Sequence, residues 1–351
     1  MSVAGGRQIL GLNGLRALAV TAVVWHHAHP GFAGLPISHN GFLGVDVFFV
    51  LSGFLITTLL LDERDSSGHV SLPNFYARRS LRIFPLYYAV LLLLVAYFAM
   101  SSASNQAGAF FAELPFHATY TSNWIVAGSL MAITWSLSTE EQFYLAWPPL
   151  LVVLGRWAPA LLLLFLAFNQ VLNFGGFDPW LEARGLPYGA LPILQITFTP
   201  IVLGVLLAYV LRSSWRDRLR AGSTEAAIAI GIVLLIVVAN ASDMRGWPRL
   251  AFHVLTTLVL GAIVLHPESR FTRLLEWRPL AWLGTVSYGV YLLHKLALDA
   301  VQRGLGKLRV DSPLGTFVLC LLLSALLAGL SFRFFEQPLL RLRDRFRSAA
   351  R

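Results

Sequence analysis

The stretch FLGVDVFFVLSGFLITTLLL, residues 42–61, contains a single charged side chain, Asp46. A helix of about 20 mainly apolar residues is long enough to cross the hydrocarbon core of a bilayer. The rest of the chain is similar: 56% of its 351 residues are hydrophobic and 13% are charged, against about 25% charged residues in soluble domains. One soluble core cannot bury so much apolar surface, so the sequence predicts a helical membrane protein.

Apolar runs of comparable length recur along the whole chain and predict about ten transmembrane spans. They lie at 9–28, 42–61, 83–100, 133–154, 157–174, 190–211, 225–240, 250–266, 280–298 and 314–333. A short turn around Arg156 separates 133–154 from 157–174, which predicts a helical hairpin. We therefore expect an all-α, polytopic transmembrane bundle.

Lysine and arginine concentrate in alternate loops, on the side of the membrane that holds the N-terminus. The basic residues of these segments are Arg7, Arg64, Arg78, Arg79, Arg82, Arg156, Arg212, Arg216, Arg218, Arg220, Arg270, Arg273, Arg278, Arg341, Arg343, Arg345, Arg347 and Arg351. Under the positive-inside rule this bias predicts that both termini are cytoplasmic. The first run contains Arg16 and has no convincing cleavage site, so we expect a retained span rather than a signal peptide.

The formal net charge of +9 reflects these loop arginines. Basic and aromatic residues are not interleaved as in nucleic-acid-binding surfaces, so we expect no nucleic-acid partner. Cys320 is the single cysteine, which excludes an internal disulfide and a cysteine-based metal site, and we expect no metal. Residues 1–340 are expected to form one membrane-embedded domain, and residues 341–351 a basic cytoplasmic tail.

Ionisable residues inside predicted spans are candidate functional residues, because placing them in lipid is costly. Arg16 and His27 project from the same face of the first span, about 16 Å apart along its axis. Asp46 and Glu140 are expected at a depth similar to that of His27. A carboxylate that holds one ring nitrogen protonated leaves the other able to take a hydroxyl proton, so His27, Asp46 and Glu140 are the predicted catalytic group. The alternatives are an interfacial histidine cluster and carboxylates that only join helices.

Small residues in the second span predict where it packs. They are Gly41, Gly44, Ser52 and Gly53. Small side chains let two helix backbones approach closely, so these positions predict tight packing beside the first span. That packing would bring Asp46 near the first span.

Arg79 and Arg82 stand at the entrance of the third span, three residues apart on one helix face. They form a cationic fork suited to phosphate oxygens, although arginines at this place also serve as topology charges. Glu141 points about 100° away from Glu140. His294, late in the ninth span, is expected at the depth of His27.

Taken in order, these motifs resemble the membrane acyltransferase-3 family over nearly the whole chain. The matching elements are LNGLRA (12–17) with ten residues between Arg16 and His27, GVDVFFVLSGF (44–54), the Arg79 and Arg82 pair, WSLSTEEQFY (135–144), Ser287-Tyr288 through His294, and FEQP (335–338). Single elements of this kind are weak signals, whereas six in order are a strong one.

The resemblance implies an integral-membrane O-acyltransferase of the cytoplasmic (inner) membrane. Such an enzyme moves an acyl group, usually acetyl, from acyl-coenzyme A to a hydroxyl of a glycan or other carbohydrate-containing acceptor. The resemblance implies that His27 is the catalytic base and that Arg79 and Arg82 hold the donor, with Arg16 as a further donor-binding candidate. The candidate substrate-binding or supporting residues are Trp135, Ser138, Glu141, His294 and Glu336.

Two features depart from the family's commoner pattern. Lys295 follows His294, where many relatives have an aromatic residue, and only a short basic tail follows Glu336 instead of an SGNH-type domain. We therefore expect transfer to be completed by the membrane part or by a separate periplasmic acyltransferase partner. Direct transfer and an acyl-histidine intermediate both stay open.

Two other functions also stay open. A transporter of an acylated or anionic glycan would use the same buried charges as a substrate path. An O-acyltransferase acting on a secondary metabolite would share the chemistry and differ in the acceptor.

Overall fold

The computed structural model describes residues 9–28, 39–100, 105–186 and 197–342, and these contain helices and no β-strand. The first seven helices are α1 (Leu12–Ala28), α2 (Leu43–Ser67), α3 (Leu72–Met100), α4 (Asn105–Ala118), α5 (Trp135–Leu154), α6 (Ala158–Asn173) and α7 (Asp178–Glu182). The others are α8 (Thr199–Val210), α9 (Trp215–Gly222), α10 (Glu225–Ala239), α11 (Trp247–Leu265), α12 (Arg270–Leu275), α13 (Arg278–Thr285), α14 (Ser287–Leu308), α15 (Pro313–Ser331) and α16 (Gln337–Leu342). The all-α prediction is confirmed.

Five helical segments in the described part of the chain are long and apolar enough to cross a membrane, or six if the bent pair of α9 and α10 forms one span. They are Leu43–Ser67, Leu72–Met100, Ala132–Asn173, Trp247–Leu265 and Pro313–Leu342. These segments fit a multi-pass membrane protein. The count of ten spans and the cytoplasmic position of both termini stay predictions. Part of the predicted run 190–211, and most of the predicted tail 341–351, lie outside the described residues.

The segment Ala132–Asn173 is 42 residues long, about twice the roughly 20 residues that one span needs. A 3₁₀ turn at Gly155–Trp157 separates α5 from α6, and Gly155 has a φ of 51°. Glycine takes this left-handed conformation at no steric cost. The break lies where the sequence predicts the turn of a helical hairpin.

The predicted span 280–298 contains a break at Val286, where α13 ends and α14 begins. Val286 has φ and ψ of −95° and 6°, outside the helical range. The apolar pattern continues across this residue, so periodicity alone does not reveal the break. His294 therefore lies seven residues into a helix that begins at Ser287.

Helices α1 and α2 pack tightly where the middle of α1 meets the start of α2. A Cβ atom on Gly44 would lie 2.2 Å from the carbonyl oxygen of Ala19, and one on Gly41 would lie 2.3 Å from that of Ala22. The residue numbers run in opposite directions, so the two helices are antiparallel. The predicted role of Gly41 and Gly44 in packing beside the first span is confirmed.

Helix α2 crosses α8 through a second pair of glycines. A Cβ atom on Gly53 would lie 2.0 Å from the carbonyl oxygen of Ile201, and one on Gly204 would lie 2.1 Å from that of Val50. The prediction that Gly53 packs against the first span is therefore wrong, because this glycine meets α8. Helix α2 is thus held between α1 and α8, which sets the rotation of its polar side chains.

Replacing Gly204 with alanine is expected to destabilise the α2–α8 crossing, because the added methyl group must push two backbones apart. Overpacking of this kind costs about 1–3 kcal/mol, so we expect Gly204→Ala to lower the midpoint of thermal unfolding of the detergent-purified protein. The matched control is Gly304→Ala in α14, where a Cβ atom meets nothing within 4 Å. Equal unfolding midpoints for the two variants would show that the crossing is not tight.

Candidate active site

His27, one residue before the end of α1, lies against His294 of α14. Nε2 of His294 and Nδ1 of His27 are 3.2 Å apart, and the ring centroids are 4.9 Å apart. Nδ1 of His27 also lies 2.9 Å from the carbonyl oxygen of Val23. Nδ1 of the fully buried His294 contacts the carbonyl oxygen of Tyr291. The two histidines, for which the sequence predicts a similar depth, are thus in direct contact.

The hydrogen bonds of this histidine pair indicate where the protons lie. A carbonyl oxygen can only accept, so Nδ1 of His294 donates to Tyr291, and Nε2 of the neutral ring is an acceptor. Nδ1 of His27 faces that nitrogen and the Val23 carbonyl oxygen, and it therefore bears the proton. The lone pair of neutral His27 is then on Nε2, as a general base requires.

Asp46 of α2 contacts α11 rather than His27. Its carboxylate is 2.9 Å from Nε2 of His253 and 3.6 Å from Nε of Arg249, and Asp46 is 1% exposed. The hypothesis that Asp46 orients His27 does not fit these contacts. His253 was missed as a candidate although it lies inside the predicted span 250–266, and the criterion of an ionisable residue in an apolar run identifies it.

Glu140 of α5 lies deeper in the bundle than predicted. Its Oε1 accepts a hydrogen bond from the Ser52 hydroxyl and another, 2.9 Å long, from the Tyr144 hydroxyl. Ser52 is six residues beyond Asp46 along α2, or about 9 Å along the axis. The expectation that Glu140 lies at the depth of His27 does not hold, because this carboxylate is within electrostatic range of Arg16.

We call Arg16, Arg79 and Arg82 the arginine cluster. The Arg79 guanidinium stacks 3.8 Å above the Tyr144 ring, and Arg16 and Arg79 interact electrostatically. The adjacent Arg78 is used elsewhere, in a 2.9 Å ion pair with Glu63. The structure thus brings Arg16 and Arg79, from two predicted elements, into one place.

Two further carboxylates face the arginine cluster. Glu141 interacts electrostatically with Arg79, and Glu336 with Arg82. Glu336 is buried and accepts a 3.1 Å hydrogen bond from Ser331. It ends a π-helix, Phe332–Glu336, which directly precedes Gln337-Pro338. Proline has no N–H for the usual helical hydrogen bond, which accounts for the local change in helix type.

Trp135 and Ser138 make packing contacts inside the bundle. Trp135 lies edge-on to Phe49, with 6.2 Å between ring centroids. The Ser138 hydroxyl is 2.9 Å from that of Ser122, which in turn is 3.1 Å from that of Thr134. The Trp135 contact joins α5 to α2, and the Ser138 contacts join α5 to the segment that precedes it. A direct substrate contact for either residue stays a prediction.

The structure therefore separates the predicted catalytic group into three places: the histidine pair, the contact of Asp46 with α11, and Glu140 beside the arginine cluster. In the described ranges, no group of three or more His, Cys, Asp or Glu side chains is arranged to hold a metal ion. The arrangement offers a base at the end of α1 and a set of cations about 16 Å away along the same helix face.

The acyltransferase domain family matches residues 9–333, so this chain belongs to the acyltransferase-3 family, and the resemblance stated from its motifs is confirmed. The chain is similar to the peptidoglycan O-acetyltransferase OatA of Listeria monocytogenes, with 30% identity over 362 residues that cover 93% of this chain and 55% of that protein. It is also similar to the O-acetyltransferase OatA of Staphylococcus aureus, with 29% identity over 95% of this chain and 57% of that protein. The chain thus spans little more than half the length of these relatives. No solved structure matches it.

Replacing Asp46 is expected to act on stability. Asp46→Ala leaves Arg249 and His253 without their counter-charge, and removing one partner of a buried pair costs about 3–5 kcal/mol. We expect Asp46→Ala to lower the midpoint of thermal unfolding. In the triple variant Asp46→Leu, Arg249→Met, His253→Leu, the midpoint is expected to recover in part. The control is Asp311→Ala, at an exposed position. A wild-type midpoint for Asp46→Ala, combined with lost acetyl transfer, would instead link Asp46 to His27.

Proposed function

We propose that this chain is a membrane-embedded O-acetyltransferase that moves an acetyl group from acetyl-coenzyme A to a glycan hydroxyl, with His27 as the general base. Family membership and the similarity to relatives named as O-acetyltransferases support the reaction type. The observation on which the proposal rests is the histidine pair, in which Nδ1 of His27 faces two acceptors. We propose the cytoplasmic (inner) membrane of a bacterium as its location.

In the proposed reaction, Nε2 of His27 takes the proton of the acceptor hydroxyl while the hydroxyl oxygen attacks the thioester carbonyl carbon. The new C–O bond replaces the C–S bond, and the leaving thiolate takes the proton from the His27 imidazolium. Coenzyme A leaves as the free thiol and the glycan as its acetyl ester. An acyl-histidine intermediate on His27 is a variant that uses the same residues.

The sequence predicts that a carboxylate orients the His27 ring, and His294 is in the position to do so instead. Its Nε2 accepts from Nδ1–H of His27 at 3.2 Å, which holds the His27 ring in the tautomer with a basic Nε2. Because His294 is fully buried and bonded to the Tyr291 carbonyl oxygen, its own orientation is fixed. We propose His294 as a positioning residue for the base.

The arginine cluster is the proposed site for the donor's phosphates. Arg79 and Arg82 provide planar, permanently charged donors that match phosphate geometry. The cluster is about 16 Å from His27 along α1, so the phosphates and the thioester have to lie at opposite ends of an extended molecule. Acetyl-coenzyme A has this form, because its pantetheine arm separates the two groups. Glu140, Glu141 and Glu336 neutralise the cluster until the donor binds.

The proposed acceptor is a peptidoglycan-type glycan, by analogy with the peptidoglycan O-acetyltransferase of Listeria monocytogenes. The hydroxyl is acetylated by this chain directly or through a separate partner protein. Acceptors of another kind, including secondary metabolites, leave the roles of the histidine pair and the arginine cluster unchanged.

Replacing His27 is expected to abolish transfer while leaving donor binding intact. General base catalysis contributes about 100-fold or more, so we expect His27→Ala to release coenzyme A thiol at least about 100 times more slowly than the wild type. The assay follows free thiol from acetyl-coenzyme A in the presence of soluble peptidoglycan fragments. The matched control is His69→Ala, at an exposed histidine outside the site.

Each outcome of this experiment decides between functions. A wild-type rate for His27→Ala would remove His27 from the catalytic role. No thiol release by the wild type, combined with uptake of acetylated glycan by vesicles that contain the protein, would favour a transporter over an enzyme.

A further inference from the structure

Tyr120, in the segment between α4 and α5, is held in an unusual conformation inside the bundle. Its φ is 54°, in the left-handed region that residues other than glycine rarely adopt. Nε2 of Gln142 donates a 2.9 Å hydrogen bond to its carbonyl oxygen, and its ring stacks on Tyr87 at 4.3 Å between centroids. Strain of this kind persists where the surroundings impose it, and it concentrates at functional sites.

Tyr120 is 7% exposed, and its hydroxyl oxygen is buried. Within the described residues this hydroxyl nevertheless has no hydrogen-bond partner. Most buried hydroxyls in folded proteins are hydrogen-bonded, so an exception calls for an explanation. The neighbouring Tyr87 shows the contrast, since its hydroxyl donates to the His117 carbonyl oxygen at 2.8 Å.

Two other buried polar atoms near Tyr120 are in the same situation. Oε1 of Glu141 and Nε of Arg79 are buried without a hydrogen-bond partner in the described part of the chain. Gln142, which is bonded to the Tyr120 carbonyl oxygen, directly follows Glu141 in α5. The Tyr120 ring also stacks on Phe84, five residues after Arg79 in α3, with 5.6 Å between centroids. A phenol donor, a carboxylate acceptor and a guanidinium donor therefore converge on one region of the interior.

This region lies between the two halves of the proposed active site. The Tyr120 ring stacks on Phe84, and the Tyr288 hydroxyl donates a hydrogen bond to the carbonyl oxygen of Ile83, which lies between Arg82 and Phe84 in α3. His294 follows Tyr288 by six residues on α14, or about 9 Å along the helix axis. The region therefore borders both the arginine cluster and the helix that carries His294.

A secondary amide satisfies both Tyr120 and Glu141. Its carbonyl oxygen accepts from the phenol, and its N–H donates to the carboxylate. We propose that Tyr120 and Glu141 bind an amide of the donor's pantetheine arm, an inference that rests on the proposed function. An acetamido group of an amino-sugar acceptor has the same chemistry, but the arginine cluster beside Glu141 favours the donor.

Tyr120→Phe tests this site because it removes one oxygen and keeps the stacked ring. The matched control is Tyr87→Phe, which removes a hydroxyl that is hydrogen-bonded within the protein. For the wild type and both variants we would measure KM for two donors, acetyl-coenzyme A and S-acetylpantetheine. The second donor has the amides but no nucleotide. The acceptor KM would be measured with the disaccharide of N-acetylglucosamine and N-acetylmuramic acid. Binding of coenzyme A by calorimetry and the thermal unfolding midpoint complete the set.

We expect Tyr120→Phe to raise KM for both thioesters and Kd for coenzyme A about three- to tenfold, the effect of one net hydrogen bond. Its acceptor KM stays constant, and its unfolding midpoint is unchanged or higher, because no hydrogen bond within the protein is lost. Tyr87→Phe is expected to behave in the opposite way, with a lower midpoint and unchanged donor constants. A purely structural role for the Tyr120 hydroxyl would lower the midpoint instead.

The remaining outcomes separate this inference from the proposed function. A raised acceptor KM alone would assign the site to the amino sugar and overturn the inference. Unchanged values of KM and Kd would also overturn it, because they indicate a site filled by water. If the wild type transfers no acetyl group but Tyr120→Phe still weakens coenzyme A binding, the inference holds and the proposed function fails. Absence of any coenzyme A binding would overturn both.

Discussion

Pairing of buried ionisable side chains is the constraint on which the rest of this structure depends. In an apolar bundle an isolated charge is costly, so each one needs a partner from another helix. Asp46 and His253 join α2 to α11, Glu140 and Ser52 join α5 to α2, and the two histidines join α1 to α14. Each contact also sets the relative depth of two helices, and together they determine which residues meet.

The depth and the rotation of α2 explain why Asp46 does not reach His27. The expected similar depth of Asp46 and His27 is wrong, because Gly44 lies opposite Ala19, eight residues or about 12 Å before His27 along α1. Gly44 faces α1, because a Cβ atom on it would lie 2.2 Å from the Ala19 carbonyl oxygen. Residues two apart on a helix project about 200° from each other, so Asp46 has to point away from α1. Gly53, seven residues after Asp46 and thus only about 20° away in projection, packs against α8. One side of α2 therefore meets α1, and the opposite side meets α8 and α11.

The sequence predicts the helices and most of the ionisable residues that matter, but not how they combine. Apolar runs locate helices because apolar side chains are favoured both against lipid and in the core of the bundle. An Asp or His inside such a run is easily recognised. Residue counting gives separations along one helix, such as that between Arg16 and His27, whereas the depth and rotation of one helix relative to another depend on which helices are neighbours. The pairing of Asp46 with His253 joins residues 207 positions apart, and no local pattern reports it. The packing of Gly44 against α1 and the orientation of Asp46 toward α1 are mutually exclusive, and helical geometry reveals that conflict without a structure.

In the proposed reaction, the separation of the arginine cluster from the histidine pair bears directly on the part that His27 would take. The arginine cluster, at about 16 Å, would oppose an imidazolium on His27 only weakly. Lys295, which follows His294, is the nearer cation. The partner of His27 is a histidine whose facing nitrogen is an acceptor, so the hydrogen bond between them strengthens as positive charge develops on His27. A carboxylate partner would stabilise the imidazolium more strongly and delay return of the proton to the leaving thiolate. The use of Asp46 and Glu140 elsewhere in the bundle therefore suits a base that has to give its proton back within one turnover.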